Sequence, residues 1–142
     1  MKASQNIKAA IKRFEGLRLI PYKDSVGVWT VGYGHTGRDV DGRKITVVKA
    51  NELLEADVLK VDRQLEALNL PALTQNQYDA LVDFVFNLGI GNLKSSTLLK
   101  RIYARNPAML IQKEFRKWVY AGKKVLPGLV RRREYEAQLW VK

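Results

Sequence analysis

Cysteine is missing from all 142 residues, and histidine occurs once. The first absence excludes disulfides, thiolate metal sites and cysteine nucleophiles. The second leaves too few imidazoles for a His-rich metal site. No apolar run approaches the ~20 residues that cross a bilayer. Residues 1–14 are polar and alternating, without the apolar stretch of a secretory signal, so no signal is expected. Acidic side chains are scarce, 14 against 25 Lys and Arg, which gives a net charge of +11. A hydrophobic content of 46% with 27% charged residues excludes a largely disordered chain.

The charge is uneven. Residues 1–23 carry a net +5, residues 24–93 a net −4, and residues 94–142 a net +10. A cationic block of that size calls for a polyanionic partner. Nucleic acid, anionic lipid and the anionic polymers of a bacterial envelope all qualify, and composition does not choose among them.

Residues 4–15 read as a short helix, with Ser4 as N-cap, Ile7, Ala10, Ile11 and Phe14 at helical spacing, and Gly16 as its stop. From Leu17 to Gly37, aromatic and β-branched residues alternate with glycines, the pattern of short hairpins in a small twisted sheet. A long helix is predicted from about Thr46 to Leu68. Thr74 to Gln77 matches a capping box opening a very apolar helix, which Asn87 to Gly91 closes. Further helix starts are expected near Ser95–Ser96, at Asn106-Pro107 and at Pro127. Strands confined to one early segment give an α+β architecture: one domain over 1–142, with a sheet lobe about 16–45 and a helical lobe about 69–142 plus the N-terminal helix 4–15.

The segment 14–37 carries the chemistry. It puts Glu15 at a helix end, Asp24 on or just after the first strand and Thr30 on the next. A hairpin turn near Ser25–Gly27 would bring Asp24 and Thr30 side by side, with Glu15 facing them. One carboxyl kept protonated and one ionised is what glycoside cleavage requires, and a hydroxyl beside the second can hold a water. The same residues are also ordinary on a protein surface, and spacing alone does not separate the two readings.

The whole string does more. Glu15-Gly16, then Tyr22-Lys23-Asp24, then Gly27-Val28-Trp29-Thr30-Val31-Gly32-Tyr33-Gly34-His35 resembles the phage-type lysozymes, the bacteriophage endolysins of glycoside hydrolase family 24. The resemblance continues through Leu54 to Val58, Asn76 to Gly89, Arg116 to Trp118 and Gly128 to Arg133, essentially the whole chain. It implies a lysozyme-like fold with a long joining helix. It also implies a muramidase that hydrolyses the β-1,4 bond between N-acetylmuramic acid and N-acetylglucosamine in bacterial peptidoglycan, with inversion, for host lysis. Glu15 would be the general acid, with Asp24 and Thr30 positioning water or stabilising the developing charge. Thr36 and Phe86 match substrate-contacting positions, although Phe86 on its apolar helix reads equally as core. His35, a first guess for a base in an unknown enzyme, is structural by resemblance and would form an ion pair with Asp57. No metal or organic cofactor is implied.

Trp118 and Trp140 read as core, and Trp29 as core or sugar platform. Arg131-Arg132-Arg133 reads as a solvated helix face rather than a nucleic-acid patch, with one of the three reaching toward Glu15 or Asp24. Peptidoglycan is the expected partner of a monomer with no stable membrane anchoring. The chain would accumulate in the host cytoplasm and reach the wall at lysis. Two alternatives stand beside this reading: a lytic transglycosylase, which needs no water-holding Asp, and a non-enzymatic cationic binder of envelope or nucleic acid.

Overall fold

A computed structural model describes residues 1–142. In chain order the elements are α1 (Gln5–Glu15), β1 (Arg18–Lys23), β2 (Trp29–Gly32), β3 (His35–Thr36), α2 (Val47–Glu66), α3 (Gln75–Leu88), α4 (Ile90–Lys94), α5 (Thr97–Tyr103), α6 (Ala108–Arg116), β4 (Tyr120–Ala121), β5 (Lys124–Val125) and α7 (Pro127–Trp140). The chain is α+β. Strands β1, β2 and β3 form one antiparallel sheet in that order, and β4 and β5 form a separate two-stranded hairpin.

Local chemistry explains where α1 begins and ends. The Ser4 hydroxyl oxygen accepts from the Ile7 N–H at 3.1 Å, while the hydroxyl donates to Asp79 and ties the helix start to α3. Gly16, at φ +71, sends its N–H back to the Lys12 carbonyl and turns the chain away. Left-handed backbone of this kind favours glycine, so α1 stops with Glu15 as its last residue. The Ile7, Ala10 and Ile11 side chains are buried and hold the helix against the core.

The long helix α2 serves two regions. Near its start Ala50 and Leu53 are buried on the sheet side, and Ala50 approaches Gly32 of β2. Further along, Leu54, Val58, Val61 and Leu65 enter the helical core. At the centre of that core lies α3, buried from Tyr78 to Val85. Its capping box is complete: Thr74 caps the Gln77 N–H, and the Gln77 side chain accepts from the Thr74 N–H.

Four local readings change. The first hairpin turns where expected but pairs in a different register. Its loop is Ser25 to Gly27, closed by Asp24 N–H donating to the Val28 carbonyl at 2.9 Å, so Thr30 pairs with Tyr22 and not with Asp24. The segment after α3 continues almost at once into α4, rather than closing as a loop. Asn106 does not cap α6. Pro107 takes that place without a side-chain bond, and the Asn106 side chain accepts from Arg101 instead. Finally, strands are not confined to the early segment, since Tyr120–Ala121 and Lys124–Val125 pair as the β4–β5 hairpin. No helix is long and apolar enough to cross a membrane.

Phe84 is fully buried, edge-on to Phe115 at 5.9 Å and to Trp118 at 5.4 Å. Removing that ring leaves a cavity where α3, α6 and α7 meet. Phe84→Ala is expected to lower the unfolding free energy by about 3–5 kcal/mol, read from urea denaturation.

Candidate active site

Glu15 stands at the junction of the helices and the sheet. Its side chain is 20% exposed and its Oε2 accepts from Arg132 Nη1 at 2.6 Å. On the sheet side it lies over Gly34, in the turn between β2 and β3. A Cβ placed on Gly34 would fall 2.5 Å from Glu15 Oε1 and 3.0 Å from its Cδ. Gly34 also has φ +77. Glycine is thus required there twice, by backbone conformation and by the carboxyl packed on it.

Asp24 sits at the opposite end of β2. Its Oδ1 accepts from the N–H groups of Val26 at 2.9 Å and Val28 at 2.8 Å, which fixes the side chain and leaves Oδ2 without a protein donor. Thr30, 4% exposed, donates its hydroxyl to the Val28 carbonyl at 3.0 Å and keeps its lone pairs free to accept. Thr30 is the Cα partner of Tyr22 on β1 and of Thr36 on β3. Since cross-strand partners share a face, Asp24, lying opposite Val28, falls on the same face as Thr30, two residues along. Thr36 is exposed on β3. Along β2, Val28 and Gly32 are separated by about 13 Å of extended backbone. Asp24 and the Gly34 turn that touches Glu15 are therefore well spaced.

Phe86 is half-buried and packs against the core at the end of α3. Trp140 is buried, Trp118 lies edge-on to Phe84, and Trp29 is exposed beneath the Lys23 ammonium at 5.4 Å. The concavity lined by Leu65, Glu66, Asn69, Leu70, Pro71 and Tyr78 holds none of these candidate residues.

His35 bridges two carboxylates. Its Nδ1 lies 2.8 Å from Asp57 Oδ2, and its Nε2 lies 2.9 Å from Asp39 Oδ1. Burial pulls its pKa down, but the hydrogen bonds and charges of Asp39 and Asp57 outweigh that and raise it above 6.5. The His35 hydrogen bond, against a smaller opposing effect of desolvation, lowers the Asp39 pKa. Asp39, read from sequence only as part of a polar turn, is the partner that reading missed.

The arginine run is not a solvated face. Arg131 is exposed, but Arg132 is 6% exposed and Arg133 fully buried. Arg132 joins Glu15 to Asp83: Nε lies 3.1 and 3.0 Å from the two Asp83 oxygens, and Nη2 lies 2.9 Å from Oδ1. Arg133 takes Glu136 at 2.8 and 2.9 Å and Asn87 at 2.8 Å. Burial, with Asp83 beside it, pushes the Glu136 carboxyl up against the opposing pull of Arg133. Asp83 and Glu136 were absent from the sequence reading. The available signal was an acid in the middle of an otherwise apolar helix, since such a group needs a cation brought to it.

A small antiparallel sheet joined through one long helix to a helical core places the chain among the lysozyme-type glycoside hydrolases. It belongs to the phage lysozyme family, whose sequence pattern matches residues 12–136. An endolysin of Acyrthosiphon pisum secondary endosymbiont phage 1 is 41% identical over 144 residues, which take in 99% of this chain and 98% of the relative. An endolysin of Bacillus phage B103 is 44% identical over 99% of this chain and 54% of its own length, so the chain spans about half of that relative. Among solved structures, the muramidase domain of SpmX from Asticaccaulis excentricus superposes with a TM-score of 0.90 at 35% identity, covering 99% of this chain and 98% of that one.

Two outcomes test this geometry. Gly34→Ala is expected to cost about 1–3 kcal/mol from backbone strain and to displace the Glu15 carboxyl, so activity should fall further than the melting temperature suggests. The second concerns His35. A pKa raised on folding contributes stability that is complete below the unfolded value near 6.5 and lost as pH rises through the folded value. Unfolding free energy should therefore decline as pH rises above the unfolded value near 6.5, and His35→Asn should flatten that slope, as followed by urea titrations at successive pH values.

Proposed function

We propose that this chain is a muramidase that hydrolyses the β-1,4 bond between N-acetylmuramic acid and N-acetylglucosamine in bacterial peptidoglycan, with inversion, in phage-induced host lysis. The observation that carries the reading is the placement of Glu15 and Asp24 toward opposite ends of β2, with the Thr30 hydroxyl on the Asp24 face between them.

Glu15 is the general acid in this reading. Arg132 can only donate, so it claims Oε2 as an acceptor and leaves Oε1, on the Gly34 side, as the oxygen that carries the transferable proton. Delivery of that proton to the glycosidic oxygen releases the leaving sugar. Asp24 Oδ2 and Thr30 Oγ1 are both free to accept, and together they can take the two hydrogens of one water. The water's lone pair then points at the anomeric carbon, and Asp24 receives its proton as the bond forms. The backbone spacing of about 13 Å leaves room for a sugar ring and a water. The paired acceptors for a water, rather than a nucleophilic role for Asp24, favour an inverting course, which calls for carboxyls ~6.5–9.5 Å apart. Thr36, next to Thr30 across the ladder, is positioned to contact the saccharide from the same face. The SpmX neighbour described as a muramidase domain supports the same substrate class.

A lytic transglycosylase would cut the same bond without water, and the paired acceptors Asp24 and Thr30 argue against it. Purified peptidoglycan decides between them. Glu15→Gln should lower clearing by about 10²-fold or more while the fold persists. The parent should release reducing muramic ends whose first-formed anomer is inverted. Anhydro-muramic ends would establish the transglycosylase, and undiminished clearing by Glu15→Gln would overturn Glu15 as the acid.

A further inference from the structure

Among the buried charged groups, one carboxylate has no part in the reaction as derived so far, yet stands directly behind it. Asp83 is fully buried on α3 and faces the guanidinium that orients Glu15. We propose that Asp83 is a positioning residue: it neutralises and locks Arg132, so that Arg132 can orient the general acid without imposing a full positive charge that would strip the acid of its proton. The proposal rests on the reading of Glu15 as that acid.

The geometry divides the guanidinium between two jobs. Nε and Nη2 go to Asp83, and only Nη1 goes to Glu15. A planar fork held at two nitrogens has little freedom left, so the third nitrogen is aimed. The same contacts set the electrostatics. An arginine beside a carboxyl ordinarily lowers that carboxyl's pKa by ~1–3 units, which works against a group that must donate a proton. With an ionised carboxylate bound to its other edge, Arg132 presents Glu15 with an ion pair rather than a lone cation.

The other charged and titratable groups around this point have other attachments. On α1, the Lys12 ammonium lies over the Tyr33 ring at 5.3 Å, and Arg13 lies toward Tyr135 of α7. From the sheet, Asp24 is bound to its own turn. On α7, Glu136 borders Asp83 but is taken by Arg133, and Tyr135 packs edge-on against Phe14. Arg132 alone bonds to the Glu15 carboxyl. It also lies over the Phe14 ring at 5.0 Å, on the apolar side of the site.

Asp83→Asn keeps the shape and removes the countercharge. In pH–rate profiles of peptidoglycan clearing, its alkaline limb should move to lower pH by about 1 unit or more. Carbon-13 NMR of the Glu15 side chain should report the same displacement without reference to activity. The double variant Asp83→Asn with Arg132→Gln removes both charges together. Its alkaline limb should return to within a fraction of a unit of the parent, with a lower maximal rate because the acid is no longer aimed. An unmoved limb in Asp83→Asn, or a double variant displaced from the parent as far as the single one, would overturn the proposal. Should Asp83→Asn fail to fold, the double variant decides alone, since uncompensated control by Arg132 would raise its limb above the parent. Glu15→Gln separates the two readings. If it is inactive and the limbs do not move, only the role of Asp83 is lost; if it remains active, the assignment of Glu15 fails first.

Discussion

A buried guanidinium cannot give up its charge, and the arrangement around Arg132 follows from that constraint. Arg132 lies where α1, α3 and α7 converge, 6% exposed, and every direction it can donate in must end on an acceptor. Asp83 supplies two of those contacts from the core and Glu15 supplies one from the edge. The consequence is mechanical as well as electrostatic. Glu15 is the last residue of α1, where a helix end would ordinarily fray, yet its carboxyl is tied through Arg132 to the buried helical core. Gly34 closes the other side, so the carboxyl is held between a helix bundle and a sheet turn rather than by either alone.

The sheet meets this fixed point with a different device. Its strands are short, and β3 contributes only two residues, so ladder hydrogen bonds alone give little rigidity. Side chains make up the difference. Asp24 binds two N–H groups of its own turn, Thr30 binds the Val28 carbonyl, and His35 ties β3 both to the following turn through Asp39 and to α2 through Asp57. The last tie matters most for register, because it links the strand bearing Thr36 to the helix that also reaches the core. In this respect His35 does for the sheet what Arg132 does for α1: a nitrogen-bearing side chain between two carboxylates ties separate elements together.

How much of this was legible in the chain depends on the range of the interaction. Ser4 and Thr74 cap the helices they were expected to cap, and Thr46 and Ser96 cap helices whose starts were expected at those places, because a cap involves groups three residues apart. The hairpins between Leu17 and Gly37 were visible for the same reason, although pairing Asp24 with Thr30 was off by two residues, since a turn over Ser25 to Gly27 sets Asp24 opposite Val28. Arg132 was a different matter. It meets Glu15 across 117 positions and Asp83 across 49, and nothing in a run of three arginines says which of them turns inward. Helical geometry makes the choice: Arg132 and Arg133 project toward α3 while Arg131 projects outward, and Glu136, one turn on, gives Arg133 its partner.

The same burial changes what the cationic C-terminal region means. Its formal charge of +10 overstates what solvent encounters, because Arg132 and Arg133 are spent inside the protein. Each of the three acids in that region is also paired: Glu114 with Arg101 and Lys117, Glu134 with Arg116, and Glu136 with Arg133. What remains outward is spread over several elements, among them Lys94 of α4, Lys100 of α5, Lys113 of α6, Lys124 of β5 and Arg131 of α7. A nucleic-acid groove would need such charges in register with a phosphate backbone over several contacts. Charges dispersed in this way act together at long range and attract a polyanion without registering on it contact by contact. Sequence charge thus divides into two populations: the inner arginines are consumed by Glu15, Asp83, Asn87 and Glu136, and the outer lysines and arginines set the potential that an approaching polyanion meets.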